Sequence, residues 1–315
     1  MLAIGDNGRQ LTPGLPANSP SRPDRPFISV DNVTGTVYVS VDDFAIPGVQ
    51  RYVAASHDNG LTFGPARQMT TDAYPGTGGD TDTTNVSLAV PSAGSGRLAF
   101  AYQAGAAPNG YTGVNGCPCP IFETSRDDGI TWDQHSAPFA ATHTAADPSH
   151  PGHYAIMALD GSSVEVSRTT DYGVTWSKPT LIGNDPGRYP FQPWIAYSPD
   201  GVLGLGYKYT VSDWSNGLWA SETDGALSFN TTFDYWAAVS ADGGVTFSPS
   251  VRISHAVSPA DSAGDIRDDF SFVMLDNRYL YTGWGDLRTS PTDPSPAARS
   301  IYFGRIDLEP FQPTV

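Results

Sequence analysis

Four aspartates recur in one chemical setting. The chain reads SHDNGLTF at Ser56–Phe63, SRDDGITW at Ser125–Trp132, TTDYGVTW at Thr169–Trp176 and SADGGVTF at Ser240–Phe247. The shared form is Ser/Thr-x-Asp-x-Gly-x-Thr-Trp/Phe, with the aspartates Asp58, Asp127, Asp171 and Asp242. A repeated carboxylate is either catalytic or a brace, and this setting has the chemistry of a hairpin turn. The carboxylate accepts from backbone N–H groups across the turn, Gly supplies a left-handed residue, and the hydroxyl steadies the incoming strand. The closing Trp or Phe is a large apolar wedge pointing inward.

Other groups suggest weaker chemistry. His143, His150 and His153 lie in and around THTAADPSHPGH, a Pro/Gly-rich loop that could contribute to a metal or polar site, though no metal site is assigned. The loop GGDTDTTN at Gly78–Asn85 has oxygen ligands suited to calcium but lacks the EF-hand spacing. Cys117 and Cys119 are two loop thiols or a strained local bridge, two ligands short of a structural zinc site. There is no Gly-rich phosphate loop, His-Glu-x-x-His or Gly-x-Ser-x-Gly, and no cofactor is expected.

The octapeptides require strands on both sides. Each follows a strand-like run such as QRYVAA or DYWAAV and precedes another, such as PARQMT or PSVRIS. Upstream of them recurs a strand-turn-strand pattern: RPFISVDNVTGTVYVSV from Arg25, NVSLAVPSAGSGRLAFAYQ from Asn85, QPWIAYSPDGVLGLGYK from Gln192 and DFSFVMLDNRYLYTGWGD from Asp269, with a looser HYAIMALDGSSVEVSR from His153. Together these patterns give four antiparallel strands per unit, the blade of an all-β β-propeller. Five units are countable, over about 22–72, 73–140, 141–184, 185–255 and 256–315, in a single domain. Residues 1–21 carry a degraded octapeptide, which either supplies the closing strand of the last blade or marks a chain that begins inside one.

The bulk composition agrees. Glu occurs only at Glu123, Glu165, Glu222 and Glu309, and the skew toward Asp, with 33 Gly and 27 Pro, belongs to a turn-rich β protein. A net charge of −16 without a Lys/Arg run argues against nucleic acid or an anionic membrane as partner. No apolar run approaches the roughly 18 residues of a membrane helix, and MLAIGDNG is too short and uncharged for a signal peptide.

The octapeptides resemble the Asp-box, or BNR, repeats of the sialidase (neuraminidase) superfamily, and the openings RPFISVD and FQPWIAYSPDG and the late YTGWGDLR extend the resemblance over nearly the whole chain. It implies a propeller, six-bladed in sialidases, with its site at the mouth opposite the Asp-box turns, and a secreted or cell-envelope location. The family's chemistry uses three arginines that clamp a sugar carboxylate, a Tyr nucleophile assisted by a Glu, and an Asp as general acid/base. Arg binds a carboxylate bidentately, and a neutral Tyr avoids the repulsion an anionic nucleophile would meet.

Carried onto this chain, the resemblance assigns Arg25, in DRPFISV, to the family's Arg-Ile-Pro position, although the order here is Arg-Pro-Phe. Asp42 and Asp43, in SVDDF, occupy the neighbourhood of the acid/base Asp. Glu222, in SDWSNGLWASETDGALSF, is the only Glu in a mouth-loop position. Arg267, Arg288 and Arg299 are the choices for the later arginines, and Tyr281 for the nucleophile. Each has a plainer alternative, such as Tyr281 in the sheet core or Asp286 pairing with Arg288 beside a core Trp284. The expectation is a propeller engaging a glycan, acting, if catalytic, as an exo-glycosidase on a terminal acidic sugar; the alternative is a non-catalytic carbohydrate- or protein-binding propeller. Convergence of at least three of Arg25, Arg188, Arg267, Arg288 and Arg299 beside a Tyr/Glu pair would separate them.

Overall fold

Runs of strand-forming residues, some alternating in burial and others buried almost throughout, are punctuated by Gly/Asp turns in the computed structural model, which describes residues 23–31, 33–43, 50–69, 97–104, 119–185, 187–210, 232–259, 271–286 and 300–311. The first sheet is β1 (Pro23–Val30), β2 (Val37–Asp43), β3 (Gln50–Ser56) and β4 (Arg67–Gln68), paired in that order. The second is β5 (Leu98–Ala104), β6 (Cys119–Ser125) and β7 (Asp133–Ser136). The third holds β8 (His143–Ala146), β9 (Tyr154–Asp160), β10 (Ser163–Thr169) and β11 (Thr180–Ile182), in the order β11-β10-β9-β8. The fourth is β12 (Tyr189–Tyr197), β13 (Leu203–Thr210), β14 (Thr232–Ser240) and β15 (Val251–Arg252), with β16 (Ser258–Pro259) also paired to β14. The fifth is β17 (Ser271–Leu275), β18 (Tyr279–Asp286) and β19 (Ser300–Asp307), followed by a 3-10 turn at Glu309–Phe311.

These five small antiparallel sheets are the blades of a β-propeller, the architecture that the repeats predict, with five blades rather than the six of sialidases. Among the described residues no helix is long and apolar enough to cross a membrane. The segment expected to close the last blade lies outside the described residues, as do Gly78–Asn85, Cys117 and most of the expected strand from Asn85.

The described residues up to Tyr154, with Thr169–Trp176, form one compact unit; Ala155–Arg168 and the residues from Ser177 onward form a second. The first unit buries Tyr38, Val53, Met69, Leu98, Phe100, Tyr102 and Ile121 together, with Trp132 packed against them. The second buries Val239, Val273, Leu275 and Leu280 with Leu308. Gly204 in β13 is required there: a Cβ would lie 2.5 Å from the Leu280 side chain and 3.0 Å from that of Leu275, so a larger residue would push the fourth and fifth sheets apart.

The octapeptides join β3 to β4, β6 to β7, β10 to β11 and β14 to β15, with one hydrogen-bond pattern. In the second, Ser125 Oγ donates to Asp127 Oδ1 (2.9 Å), Thr131 N donates to the same oxygen (2.8 Å), Thr131 Oγ1 donates to Oδ2 (2.7 Å), and Gly129 N donates back to Ser125 Oγ (2.9 Å). The same four bonds occur around Asp58, Asp171 and Asp242. Two successive residues are left-handed in each turn: Gly129 (φ 76°) is preceded by Asp128 (φ 58°), and Gly173 (φ 91°) by Tyr172 (φ 63°). The closing aromatics pack as wedges, Trp132 edge-on to Phe100 at 5.1 Å and Trp176 edge-on to Phe122 at 5.0 Å.

Candidate functional site

Antiparallel pairing gives each blade two distinct ends. The octapeptide and the turn between the first two strands share one end, while the opposite end holds the strand termini from which the other loops leave. In the first sheet the register pairs Pro23 with Asp43 and Asp24 with Asp42, and slips between Asp24 and Phe27. The backbones of Arg25, Asp42 and Asp43 therefore sit at the end away from the octapeptide; their side chains are outside the described part. Glu222, Arg267, Arg288 and Arg299 lie outside the described residues altogether.

Arg188 is described in full. It immediately precedes β12, as Arg25 lies near the start of β1, and therefore stands at the end of the fourth sheet opposite the octapeptide. Its Nη2 donates to Asp234 Oδ1 at 2.5 Å, and its guanidinium lies over the rings of Tyr209 (4.5 Å) and Trp236 (5.1 Å). Asp234 projects from β14 and pairs in register with Tyr209 of β13. Its Oδ1 also accepts from Trp236 Nε1, and its Oδ2 faces Arg252 Nε at 3.2 Å. The Asp234 side chain is 8% exposed, whereas those of Arg188 and Arg252 are 22% and 36% exposed. A nearly buried carboxylate thus holds two guanidinium groups that solvent still reaches. Both cations flank one anion, so the cluster has a net positive charge in an acidic protein.

Arg252 continues into a surface groove of about 380 Å³ lined by His255, Trp284, Tyr302 and Arg305 as well. Trp284 and Tyr302 stack at 6.2 Å, and Trp284 Nε1 donates to Asp286 Oδ2 at 3.0 Å. Asp286 is thereby committed to a core tryptophan. Lys208 of β13 is fully buried, its ammonium 5.0 Å from the Phe233 ring and 5.8 Å from that of Phe191.

Tyr281 stands elsewhere. In β18 it is two residues from the strand start, at the end shared with the β17–β18 turn, and its hydroxyl donates to Asp276 Oδ2 of that turn at 2.9 Å. This bond, followed by burial and by the charge of Asp276, pushes the phenol up from its ordinary value. Tyr281 thus braces the β17–β18 turn, at the end of its sheet away from the strand termini from which the other loops leave. Tyr209, beside Arg188, is also pushed up, by burial first, and its hydroxyl is spent on the carbonyls of Gly183 and Ser162.

The histidines separate. His143 is buried in β8, and burial pushes its imidazole down to about 3, so it stays neutral. His150 and His153 belong to the β8–β9 turn with Asp147, at the octapeptide end.

The sequence reading missed Asp234, Tyr209, Trp236 and Arg252. A signal was present: Asp234 is the lone acid in the apolar strand TFDYWAAVS, and a charge in such a run needs a partner.

No protein-family model matches the sequence, and a search of curated proteins found no match. Among solved structures the chain is similar to a protein of unknown function from Dyadobacter fermentans (TM-score 0.52, 14% identity, covering 93% of this chain and 85% of that one). It is also similar to a polysaccharide lyase, an ulvan lyase (0.54, 12%, 91% and 72%), and to a NanB sialidase variant from Streptococcus pneumoniae (0.51, 12%, 86% and 58%). At these identities the likeness is one of fold.

Proposed function

We propose that this protein is a sialidase-like propeller that engages an acidic glycan at the blade ends opposite the octapeptides. The observation that carries this reading is the Arg188–Asp234–Arg252 cluster between aromatic faces. Preset guanidinium groups recognise a sugar carboxylate or sulfate bidentately, and the neighbouring rings pack against the apolar face of a pyranose. The neighbours named as sialidase and ulvan lyase support a glycan as the ligand class. On this reading the octapeptides are Asp boxes, with Asp58, Asp127, Asp171 and Asp242 as structural braces. Arg25, with Asp42 and Asp43 as acid/base candidates, would serve at the corresponding end of the first sheet, and Glu222, Arg267, Arg288 and Arg299 are the further candidates.

Displacement of Tyr281 from the blade end that would hold the glycan favours a second reading, binding without turnover. One experiment separates the two: a fluorogenic sialoside panel, run beside binding measurements on sialylated, uronic and sulfated oligosaccharides, with Arg188→Ala as comparator. Release of fluorophore that Arg188→Ala abolishes makes the protein an exo-glycosidase of this class. Arg188-dependent binding without release leaves a lectin-like propeller, and neither turnover nor binding on any member sinks the glycan reading.

A further inference from the structure

Outside that site, one turn concentrates metal-ligating groups. Asp147, His150 and His153 form a D-x-x-H-x-x-H sequence between β8 and β9, and each offers one ligand atom within 4.8 Å of the others. The turn is held by its own backbone: Asp147 N donates to His153 O (3.0 Å), closing the segment end to end, and His153 N donates to His150 O (3.1 Å). Pro148 and Pro151 fix φ within it, and Gly152 takes φ 85°. The entropy of gathering the three ligands is thus already met by the fold.

The local geometry fits an ion. Asp147 is buried, its Oδ1 accepting from Ser149 N (2.8 Å) and Ser149 Oγ (2.6 Å), while Oδ2 faces His150 Nδ1 at 2.9 Å. The carboxylate is therefore oriented by its neighbours, with one oxygen committed to the turn and the other directed at the imidazole. Two ligand atoms bound to one tetrahedral zinc at about 2.0–2.1 Å stand about 3.3 Å apart, so an ion can replace the proton shared by Asp147 and His150 with little movement. The His150 and His153 rings stack at 5.0 Å with planes 18° apart, and the His150 side chain, 60% exposed, can swing toward His153. Solvent access through His150 leaves a fourth position for water.

We propose that this turn is a binding site for a divalent transition-metal ion of the zinc, nickel or cobalt class, with Asp147, His150 and His153 as its protein ligands. Two imidazoles select such ions over calcium and magnesium, which prefer all-oxygen sites. Its place in the fold sets its role. Gly152 O accepts from Tyr172 N at 3.1 Å, and a Cβ at Gly152 would lie 2.8 Å from the Tyr172 ring, so the turn packs under the third octapeptide. An ion here would bridge the two ends of the turn that supports Tyr172 and stiffen the octapeptide end of the blade. It would not belong to the Arg188 cluster.

The test uses the full chain without a histidine tag, stripped with chelator and titrated with zinc chloride by calorimetry, with cobalt chloride followed by visible absorption. One zinc per chain is expected, with a tetrahedral cobalt spectrum and a melting temperature that climbs with the logarithm of zinc concentration. His150→Ala and His153→Gln should each weaken zinc about tenfold or more. Cys117→Ser/Cys119→Ser should leave it unchanged. No zinc binding by the parent chain, binding indifferent to both histidine variants, or calcium binding as tightly as zinc would each overturn the proposal. Circular dichroism of the metal-free variants separates lost ligation from lost folding.

Discussion

Tyr38 of β2 donates a 2.6 Å hydrogen bond to Asp128 Oδ1, the residue that follows the octapeptide aspartate Asp127. The first sheet is thereby fastened to the turn of the second. Arg67 Nη1 adds a bond to Asp128 O at 3.1 Å, and His57 Nε2 stands 3.4 Å from Asp128 Oδ2. In the next octapeptide the same position is Tyr172, whose hydroxyl accepts from Arg97 Nη1 at 2.6 Å and whose ring lies under Arg97 and Arg126. Burial first, then the bond to Asp128, push the Tyr38 phenol up, so it remains a donor throughout the accessible pH range.

Tyr38→Phe keeps the ring in the core and removes only this bond. Hydrogen bonds to a charged partner contribute about 1.5–3 kcal/mol, and Asp128 is partly hydrated, so the expected loss is about 1.5 kcal/mol in urea unfolding. Unchanged stability would show that the contact contributes nothing.

Asp127→Ala removes three accepted hydrogen bonds in one turn. By analogy with lost helix caps it should cost about 1–2 kcal/mol of stability, leaving glycan binding intact. A stable but non-binding variant would reassign the residue to function. The carboxyl also predicts acid behaviour. Burial raises the Asp127 pKa, but bonds from Thr131, Ser125 and Ile130 outweigh it, and Asp171 and Asp242 are likewise held below the ordinary range. Their stabilisation is complete above the unfolded value and lost as pH falls through the folded one. Asp127→Asn should flatten the acid limb of a stability-against-pH curve below about pH 4.

Glu165 in β10 acts in the other direction. Burial, followed by the charge of Asp160, pushes its carboxyl up to about 7. The folded state therefore holds the proton more tightly than the unfolded chain, and stability present at acid pH declines as pH rises toward 7. Partial exposure of the side chain screens the effect to about 1–2 kcal/mol. Glu165→Gln should match the parent protein near pH 5 and exceed it near pH 8 by that amount in thermal unfolding; equal curves at both pH values would refute the shift.

Asp234→Ala would leave Arg188 and Arg252 facing each other without their anion. Loss of one partner from a nearly buried ion cluster, discounted for the exposure of the arginines, should cost about 2 kcal/mol. It should also abolish acidic-glycan binding, and Asp234→Asn should retain more of the fold than of the binding. Chemical denaturation and glycan titration on the same preparations check both.

The octapeptide, the strands around it and the count of five were legible because turn chemistry and strand alternation are local. The partner of Asp128 was not, since nothing in the dipeptide Asp127-Asp128 distinguishes a brace from a rivet until Tyr38 is brought beside it. Tyr281 is a related case: sequence places it on a strand, but which end of that strand faces the loops follows from antiparallel order, and which face it takes follows from register. Arg188 could be named from sequence as one of five arginines. Its worth came from Asp234, a residue 46 positions away that only the β13–β14 pairing delivers.

The octapeptides are nearly interchangeable in sequence, yet the residue after each aspartate differs: Asn59, Asp128, Tyr172 and Gly243. Asp128 fits a phenol and a guanidinium, whereas Tyr172 fits between two guanidinium groups. A chain of look-alike units is prone to mispair during folding. A variable letter inside an otherwise constant word gives the second and third octapeptides different partners, a phenol and a guanidinium for one and two guanidinium groups for the other, so that each contact favours its own neighbour.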